Sequence, residues 1–144
     1  MAAYKRIMIA TDFSEGSIKA ADKAKMIAQI NGAELYLVHV VAYTPMVYGA
    51  GDFVMPMTAD VEMALQKSAL EALEQERERL GLSPEQGLLQ TGDTTESLVQ
   101  LVEEKQIDLL ILGSHEHHGL GFLLSSTSNS VVHEMPCDIL AVRI

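Results

Sequence analysis

The chain has 144 residues, which is the length of one domain, and 48% of them are hydrophobic, which is enough for a folded core. Ten Lys and Arg residues stand against twenty Asp and Glu residues, and the formal net charge of -10 argues against a surface that follows a nucleic-acid backbone. We therefore expect a single domain over residues 1–144 and no nucleic-acid partner.

The first part of the chain alternates strand and helix patterns. The apolar run at Lys5–Ala10 predicts a strand buried on both faces, and the spacing of apolar residues from Glu15 to about Asn31, after a capping residue at Ser14, predicts a helix. Leu35–Val41 is the second predicted strand. Residues 42–57 hold several Pro, Gly and Met residues and are predicted to form a loop that covers another part of the protein. The predicted inward face of the helix consists of Ile18, Ala21, Ala24, Ile27, Ala28 and Ile30.

A longer second helix is predicted at Thr58–Leu80 from its helical spacing of apolar residues. A weak third strand follows at Gly87–Gln90. A third helix begins after Gly92 and buries Leu98, Leu101 and Val102. The predicted inward face of the second helix consists of Val61, Leu65, Ala69, Ala72, Leu73 and Leu80.

The last part of the chain repeats the alternation. Asp108–Leu112 predicts a buried strand that ends in a Gly-rich and His-rich loop at Gly113–Gly121. The hydroxyl-rich stretch Ser125–Ser128 predicts the start of a fourth helix, and Ile139–Val142 predicts the last strand. The inward residues of that helix are predicted to be Val131, Val132 and Met135.

Five strands alternating with four helices predict an α/β fold, with a mostly parallel open sheet and helices on both of its faces. In such sheets ligands bind beyond the carboxyl ends of the strands, where the winding direction reverses. Polar residues follow two of the predicted strands, at Thr11-Asp12 and at Gly113-Ser114. The sequence therefore predicts a binding site at this end of the sheet.

Features that would direct the chain out of the cytoplasm are not found in the sequence. Its apolar runs, such as Leu109 to Leu112, are far shorter than the roughly 20 residues that cross a bilayer, and the first residues lack the apolar stretch of a secretory signal. The single cysteine, Cys137, cannot form an internal disulfide, and nothing cationic marks it as a reactive thiol. We expect a cytoplasmic protein with a structural thiol and no membrane partner.

Six segments along essentially the whole chain resemble the universal stress protein family, and their order and spacing are more specific than any one of them. The segments are IMIATDFS at 7–14, LVHVV at 37–41, GD at 92–93, DLLILGSH at 108–115, SSTSNSVV at 125–132 and MPCDILAV at 135–142. The resemblance implies a Rossmann-like fold of the adenine nucleotide alpha hydrolase-like type, with the strand order 3-2-1-4-5. It also implies a homodimer through the fifth strand.

Members of this family that bind ATP carry Gly, two residues, Gly, nine residues, and then Gly followed by Ser or Thr. Here Gly113 matches the first glycine and Thr127 the hydroxyl position, but Glu116 and Ser126 stand where the other two glycines would be. Glycine lets a backbone approach phosphate closely, whereas Glu116 restricts the backbone and adds negative charge. No Lys or Arg lies within residues 106–142 to offset that charge. The departure favours a degenerate nucleotide pocket.

Other residues keep a nucleotide site open as an alternative. The hydroxyl groups of 126–128 stand at a predicted helix N-terminus, which favours an anion. The resemblance places Asp12 near ribose and phosphates, and places Thr11 and Val41 beside adenine. The candidate ligand is ATP or AMP with Mg²⁺ or Mn²⁺. The candidate binding residues are Thr11, Asp12, Val41, Gly113, Ser126, Thr127 and Ser128.

The histidines allow two interpretations. His115, His117 and His118 beside Glu116 are potential metal ligands, but a solvated polar loop has the same composition, and the sequence predicts no metal site there. His39 on a strand and His133 on a helix are interpreted as packing or surface residues. Asp12 has no adjacent nucleophile, and accepting hydrogen bonds from Ser14 or loop amides is its alternative role.

Two main functions therefore follow from the sequence, and a third, an enzyme such as a slow nucleotide hydrolase, ranks last because the sequence has no recognisable base–nucleophile pair. The first is a non-enzymatic cytoplasmic stress-response homodimer with a degenerate nucleotide pocket, which acts through unidentified protein partners. The second is a switch that responds to ATP, ADP or AMP. In both, the short apolar last strand would lie at the sheet edge, and an antiparallel contact through Leu140 and Val142 with a second copy would pair its backbone groups.

Overall fold

Strands and helices alternate through the part of the chain that the structure, a computed structural model, describes, namely residues 4–42, 59–114 and 131–143. The predicted strands are all present, with bounds within two residues of those expected. Residues 131–134 are helical, and the predicted start of that helix lies outside the described residues. The elements are β1 (Arg6–Ala10), α1 (Glu15–Asn31), β2 (Glu34–Ala42), α2 (Ala59–Leu80), a 3-10 turn (Pro84–Gln86), β3 (Gly87–Gly92), α3 (Thr94–Glu104), β4 (Leu109–Ser114) and β5 (Asp138–Arg143).

The five strands form one parallel sheet in the order β3-β2-β1-β4-β5. The central strand is β1, in which Ile7 is in register with Leu35 of β2 on one side and with Leu109 of β4 on the other. This Rossmann-like α/β architecture confirms the predicted fold and strand order.

The sheet is buried on both faces, as the continuous apolar runs of its central strands predict. Alternate residues point to opposite faces, so Ile7 and Ile9 pack under α1 and α2, whereas Met8 packs under α3. Full burial of a side chain such as Leu98 of α3 contributes about 1.5–3 kcal/mol to folding. The core therefore consists of two apolar layers with the sheet between them.

The ends of the helices are fixed by local hydrogen bonds. Ser14 caps α1 by accepting from the amide of Ser17 at 3.2 Å, as expected. Asp93 caps α3 in the same way, accepting from the amide of Glu96 at 2.9 Å. Both caps stand at the carboxyl ends of strands, so they also set where the helices start beside the sheet.

The burial of α2 differs from the prediction. Leu73 and Leu80 are buried, but Val61 and Leu65, which share their helical spacing, are 45% and 43% exposed. The helix has 22 residues and is about 33 Å long, whereas β3 has six residues and spans about 20 Å. The whole helix is therefore longer than the strand beside it, and the residues of its first half are the exposed ones.

Two further residues predicted to face inward are exposed. Ile30 is 76% exposed in the last turn of α1, and Val132 is 49% exposed. Val131, its neighbour, is fully buried against the sheet, and successive helical residues point about 100° apart, so Val132 is turned away. The prediction was wrong at these two positions.

Charged residues bind the second half of α2 to its surroundings. Arg77 is buried, and its Nη1 donates to the carbonyl of Leu82 at 2.6 Å while its Nη2 donates to Glu74 at 2.7 Å. Arg79 pairs with the buried carboxylate of Glu76 and reaches Asp22 of α1 at 2.6 Å. The sequence analysis did not predict the burial of Glu76 and Arg77.

At the amino ends of the strands, Asp108 joins β1 to β4. Its two carboxylate oxygens accept from the amides of Lys5 at 2.8 Å and Arg6 at 3.1 Å. Every helix within the described ranges is too short or too polar to span a bilayer.

Candidate functional site

A cleft of about 170 Å³ opens at the carboxyl ends of β1, β2 and β4. The chain winds from β1 outward to β3 and then crosses to β4 on the other side of β1, so the direction of winding reverses between β1 and β4. This is the location that the sequence analysis predicts for a ligand. The lining residues are Ala10, Thr11, Asp12, Ser17, His39, Val40, Thr94, Leu98 and Gly113.

Thr11 follows the last residue of β1 and lines the cleft. It is buried, and its amide donates to the carbonyl of Val38 in β2 at 2.9 Å. Its Oγ1 accepts from the amide of Phe13 at 3.0 Å, which closes a tight turn after the strand. The structure therefore places Thr11 in the cleft, with its hydroxyl already engaged by the turn.

Asp12 is the one Asp or Glu residue in the described lining. Its Oδ1 accepts from the amide of Ser14 at 3.0 Å and from the hydroxyls of Ser14 and Ser17, each at 2.5 Å. The alternative role that the sequence analysis gave to Asp12 is thus observed, and it is compatible with a position on the cleft surface. The carboxylate is held in one orientation against the first turn of α1.

His39 is a lining residue that the sequence analysis missed. Its Nδ1 lies 2.7 Å from the carbonyl oxygen of Thr11, and since a carbonyl only accepts, Nδ1 carries the proton and donates. The ring also contacts Phe13, with centroids 4.5 Å apart, and Phe13 has a positive φ of 63° that is uncommon for a residue with a side chain. The position of His39 near the carboxyl end of a predicted strand was the signal that could have found it.

At the end of β2 the structure brings Val40 to the cleft, where the resemblance implied Val41. The carbonyl of Val38 points towards β1, and backbone groups alternate along a strand, so the amide and carbonyl of Val40 point the same way. The ladder between β1 and β2 ends at Ala10 and Val38, and Val41 is in register with Thr91 of β3. Val40 therefore offers an adjacent donor and acceptor to the cleft.

Gly113, one of the predicted binding residues, lines the cleft on the β4 side. A Cβ at this position would be 3.4 Å from both the Ala20 side chain and the Gly16 carbonyl of α1. These distances are at the limit of ordinary van der Waals contact, so β4 packs closely against α1 at Gly113, which also lines the cleft.

The opposite wall comes from α3 through Thr94 and Leu98. Ala10 and Val40 make part of this surface apolar, and the fully buried Leu98 lies directly behind it. The described lining contains no Lys or Arg, and within residues 4–42, 59–114 and 131–143 no three His, Cys, Asp or Glu side chains are grouped as a metal site would require. The arrangement can hold a flat, partly polar group better than a dense negative charge.

Three of the predicted binding residues, Ser126, Thr127 and Ser128, lie outside the described residues. Glu116 and the histidines at 115, 117 and 118 lie outside them as well. Their roles stay predictions.

Cys137 directly precedes β5 and is half-buried in the apolar layer that contains Leu110. Burial raises the pKa of its thiol to about 11, and a backbone hydrogen bond at Leu110 lowers the pKa by a smaller amount. A thiol with such a pKa is a poor nucleophile, in agreement with the structural role expected from the sequence.

Comparison with known sequences gives matches over nearly the whole chain. The model of the universal stress protein family matches residues 3–143. Universal stress protein A homolog 1 of Coxiella burnetii is 35% identical over 139 residues, which are 96% of this chain and 96% of that protein.

Solved structures give the same result for the fold. A universal stress protein in complex with cAMP superimposes with a TM-score of 0.64 at 23% identity, covering 98% of both chains. The universal stress protein from Archaeoglobus fulgidus in complex with dAMP gives a TM-score of 0.60 at 18% identity and the same coverage. A full-length family match, a relative at 35% identity and a shared architecture agree with the motifs found along the sequence. This chain belongs to the universal stress protein family.

Proposed function

We propose that this chain is a non-enzymatic stress-response protein whose cleft binds an adenine nucleoside monophosphate and which acts through protein contacts. The observation that carries the proposal is the backbone of Val40, which faces the cleft beyond the end of β1 and beside the polar turn at Thr11 and Asp12. Two relatives of the same fold were solved with cAMP and with dAMP, which are adenine monophosphates.

The base is the part of the ligand for which the cleft is most complementary. The amide of Val40 can donate to a ring nitrogen of adenine, and its carbonyl can accept from the exocyclic amino group. The side chains of Ala10 and Val40, which are half-buried, offer an apolar surface to the base. Such a pocket, apolar with a few oriented polar groups, is typical of small-molecule sites.

The negative charge of the cleft and of the chain favours a ligand with few phosphate groups. Asp12 is negative, the described lining has no Lys or Arg, and the chain carries a net charge of -10. Each added phosphate therefore increases the repulsion, and a triphosphate would need a divalent cation such as Mg²⁺ or Mn²⁺ between it and the carboxylate. Asp12 and ribose hydroxyls are complementary, because a carboxylate accepts hydrogen bonds from hydroxyls.

The absence of catalysis is part of the proposal. It is supported by the hydrogen bonds that polar side chains of the described lining already make within the protein. Oδ1 of Asp12 is engaged by Ser14 and Ser17, and Nδ1 of His39 is engaged by Thr11. A hydrolase needs a base within reach of a nucleophile or water, and these contacts already occupy Oδ1 of Asp12 and Nδ1 of His39.

A second candidate function is a family member that binds no nucleotide and acts only through partners. The substitution of two motif glycines by Glu116 and Ser126 favours it.

A homodimer is proposed for either case. In the described sheet β5 pairs with β4 on one side and is the edge strand on the other. Pairing with β5 of a second copy would use its edge amides and carbonyls. Because Val142 is only 8% exposed, it would contribute mainly through its backbone, whereas the half-buried Leu140 could add side-chain contact.

Calorimetric titration of the nucleotide-stripped protein tests the binding proposal. We expect AMP and cAMP to bind with micromolar constants, and ATP to bind more weakly unless Mg²⁺ or Mn²⁺ is present. Mass spectrometry of the untreated preparation would detect a nucleotide retained through purification. If no nucleotide gives a binding signal up to millimolar concentration, the proposal is rejected in favour of the second candidate.

A motif variant separates the two candidates further. Glu116→Gly combined with Ser126→Gly should strengthen ATP binding if the lost glycines are the obstacle. If the double variant shows no stronger binding at millimolar ATP, a feature other than Glu116 and Ser126 prevents ATP binding.

Sedimentation velocity tests the dimer. Ala141 is exposed on β5, so Ala141→Lys should shift a dimer to monomer by placing two like charges near the two-fold axis. Val132→Lys, an exposed position outside β5, is the matched control. A dimer unaffected by Ala141→Lys would mean that another surface is used.

A further inference from the structure

The carbonyl of Thr11 is bonded by a histidine side chain where a regular sheet would use a backbone amide. Thr11 donates its amide to the carbonyl of Val38, as in a parallel ladder. In the next step of such a ladder, the carbonyl of Thr11 would accept from the amide of Val40. Instead, Nδ1 of His39 donates to this carbonyl at 2.7 Å.

We infer that His39 is a positioning residue of the cleft: by occupying the Thr11 carbonyl it ends the ladder between β1 and β2 one bond early and leaves the Val40 amide available to a ligand. The backbone hydrogen bonds of the described residues agree, since none joins Val40 to Thr11. For its ligand, this inference rests on the function proposed above.

The contact with Phe13 supports the same role. Phe13 has a φ of 63°, a conformation that costs free energy for a residue with a side chain, and its ring lies against His39 with centroids 4.5 Å apart. Its amide donates to Oγ1 of Thr11 at 3.0 Å. His39 therefore holds the turn after β1 at two places, which directs the chain away from β2 and keeps Val40 uncovered.

Two substitutions separate the hydrogen bond from the ring. His39→Phe keeps an aromatic ring against Phe13 but has no donor, so the carbonyl of Thr11 would accept from Val40 and the ladder would extend. His39→Asn keeps an N–H group near the position of Nδ1. His133→Phe, at an exposed position on the helix at 131–134, is the control for loss of a histidine far from the cleft.

Hydrogen exchange at the Val40 amide is the first measurement, and it needs no ligand. We expect exchange to slow by about tenfold in His39→Phe, because the amide gains a backbone acceptor, and to stay near wild type in His39→Asn and His133→Phe. A residue with only a structural role would speed exchange when removed. Unchanged or faster exchange at Val40 in His39→Phe would overturn the inference.

Binding of AMP is the second measurement. His39→Phe should weaken the affinity by about tenfold while the melting temperature stays the same or rises, and His39→Asn should bind within about threefold of wild type. Equal losses in His39→Phe and His39→Asn would contradict the role of the donor. If the wild-type protein binds no AMP, the proposed function fails, and the exchange of Val40 still decides the role of His39.

The tautomer of His39 gives a test without any substitution, should His39→Phe fail to fold. A long-range ¹⁵N–¹H spectrum of the neutral ring should show the proton on Nδ1. A proton on Nε2 alone would exclude donation to Thr11 and overturn the inference.

Discussion

The Cδ atom of Arg77 lies 2.9 Å from the position that a Cβ would take at Gly87. The guanidinium above it is fixed by the Leu82 carbonyl and by Glu74, so the side chain has little freedom to move away. The first residue of β3 is therefore a glycine because an arginine stem from α2 crosses it.

Gly87→Ala should destabilise the fold by about 1–3 kcal/mol, the usual cost of overpacking, and lower the melting temperature by several degrees. Thermal and urea unfolding would measure the loss. In an Arg77→Ala background the same substitution should cost little, because the atom it meets is gone. An equal loss in both backgrounds would show that the clash is not the cause.

Glu74 should make the protein sensitive to acid. The hydrogen bond from Arg77 holds the pKa of the Glu74 carboxyl below its usual value of 4.5. The folded state therefore favours the ionised form, and its contribution to stability is complete above pH 4.5 and is lost as the pH falls through the lower folded pKa.

In Glu74→Gln, the fall in stability between about pH 5 and pH 3 should be smaller than in wild type. Urea unfolding across this range is the measurement. Glu71→Gln, at an exposed position on the same helix, is the control and should leave the acid limb unchanged. Parallel curves for wild type and Glu74→Gln would argue against the pairing with Arg77.

Asp12 should serve both the turn and the ligand. Asp12→Ala removes the acceptor of Ser14 and Ser17, so we expect a loss of about 1–2 kcal/mol in stability and weaker binding of AMP. Asp12→Asn keeps an acceptor without the charge, so it should retain most of the stability. Because the negative charge is gone, the affinities of the protein for AMP and for ATP should differ less than in wild type. Calorimetry gives the affinities, and an unchanged AMP affinity in Asp12→Ala would remove Asp12 from the binding site.

Cys137 should react slowly. With a pKa of about 11, its thiolate fraction at pH 8 is on the order of a hundredfold smaller than that of an ordinary cysteine. Alkylation by iodoacetamide, followed by mass spectrometry in native buffer and in urea, should therefore be much faster after unfolding. Similar rates in both conditions would mean that the thiol is accessible and unperturbed.

The strands were predictable because their signal is local. A strand buried on both faces, such as β1 or β4, must be a continuous apolar run, and a parallel arrangement follows from the alternation with helices. The burial of a helix face is less local, since it depends on what lies beside each turn. Val61 and Leu65 carry the same apolar spacing as Leu73, and nothing in that spacing records where the sheet ends.

The sequence predicted that Thr11, Asp12 and Gly113 lie at the carboxyl ends of strands, where the cleft is found. It did not predict the hydrogen bonds and packing contacts that these residues make. The donation from His39 to Thr11 joins residues 28 positions apart and follows from the register of two strands, which no sequence window contains. The choice of Val40 over Val41 depends on the same register, because a shift of one residue reverses the direction of each backbone group. A strand histidine between apolar residues resembles a packing residue until its partner is known.

The central strand, β1, is synthesised first among the strands, but its pairing within the sheet is completed late. Arg6 donates to Asp108, 102 residues further along the chain, and one side of β1 has no partner in the described sheet until β4 is present. On the ribosome, β1 to β3 can pair early, but the cleft needs Gly113 of β4. Contacts of such long sequence separation form slowly, and a ligand stabilises only the species that binds it. A nucleotide would therefore stabilise the complete chain against unfolding but would not stabilise a chain whose synthesis stopped before β4. Any effect of the ligand on the amount of protein would then depend on completed synthesis.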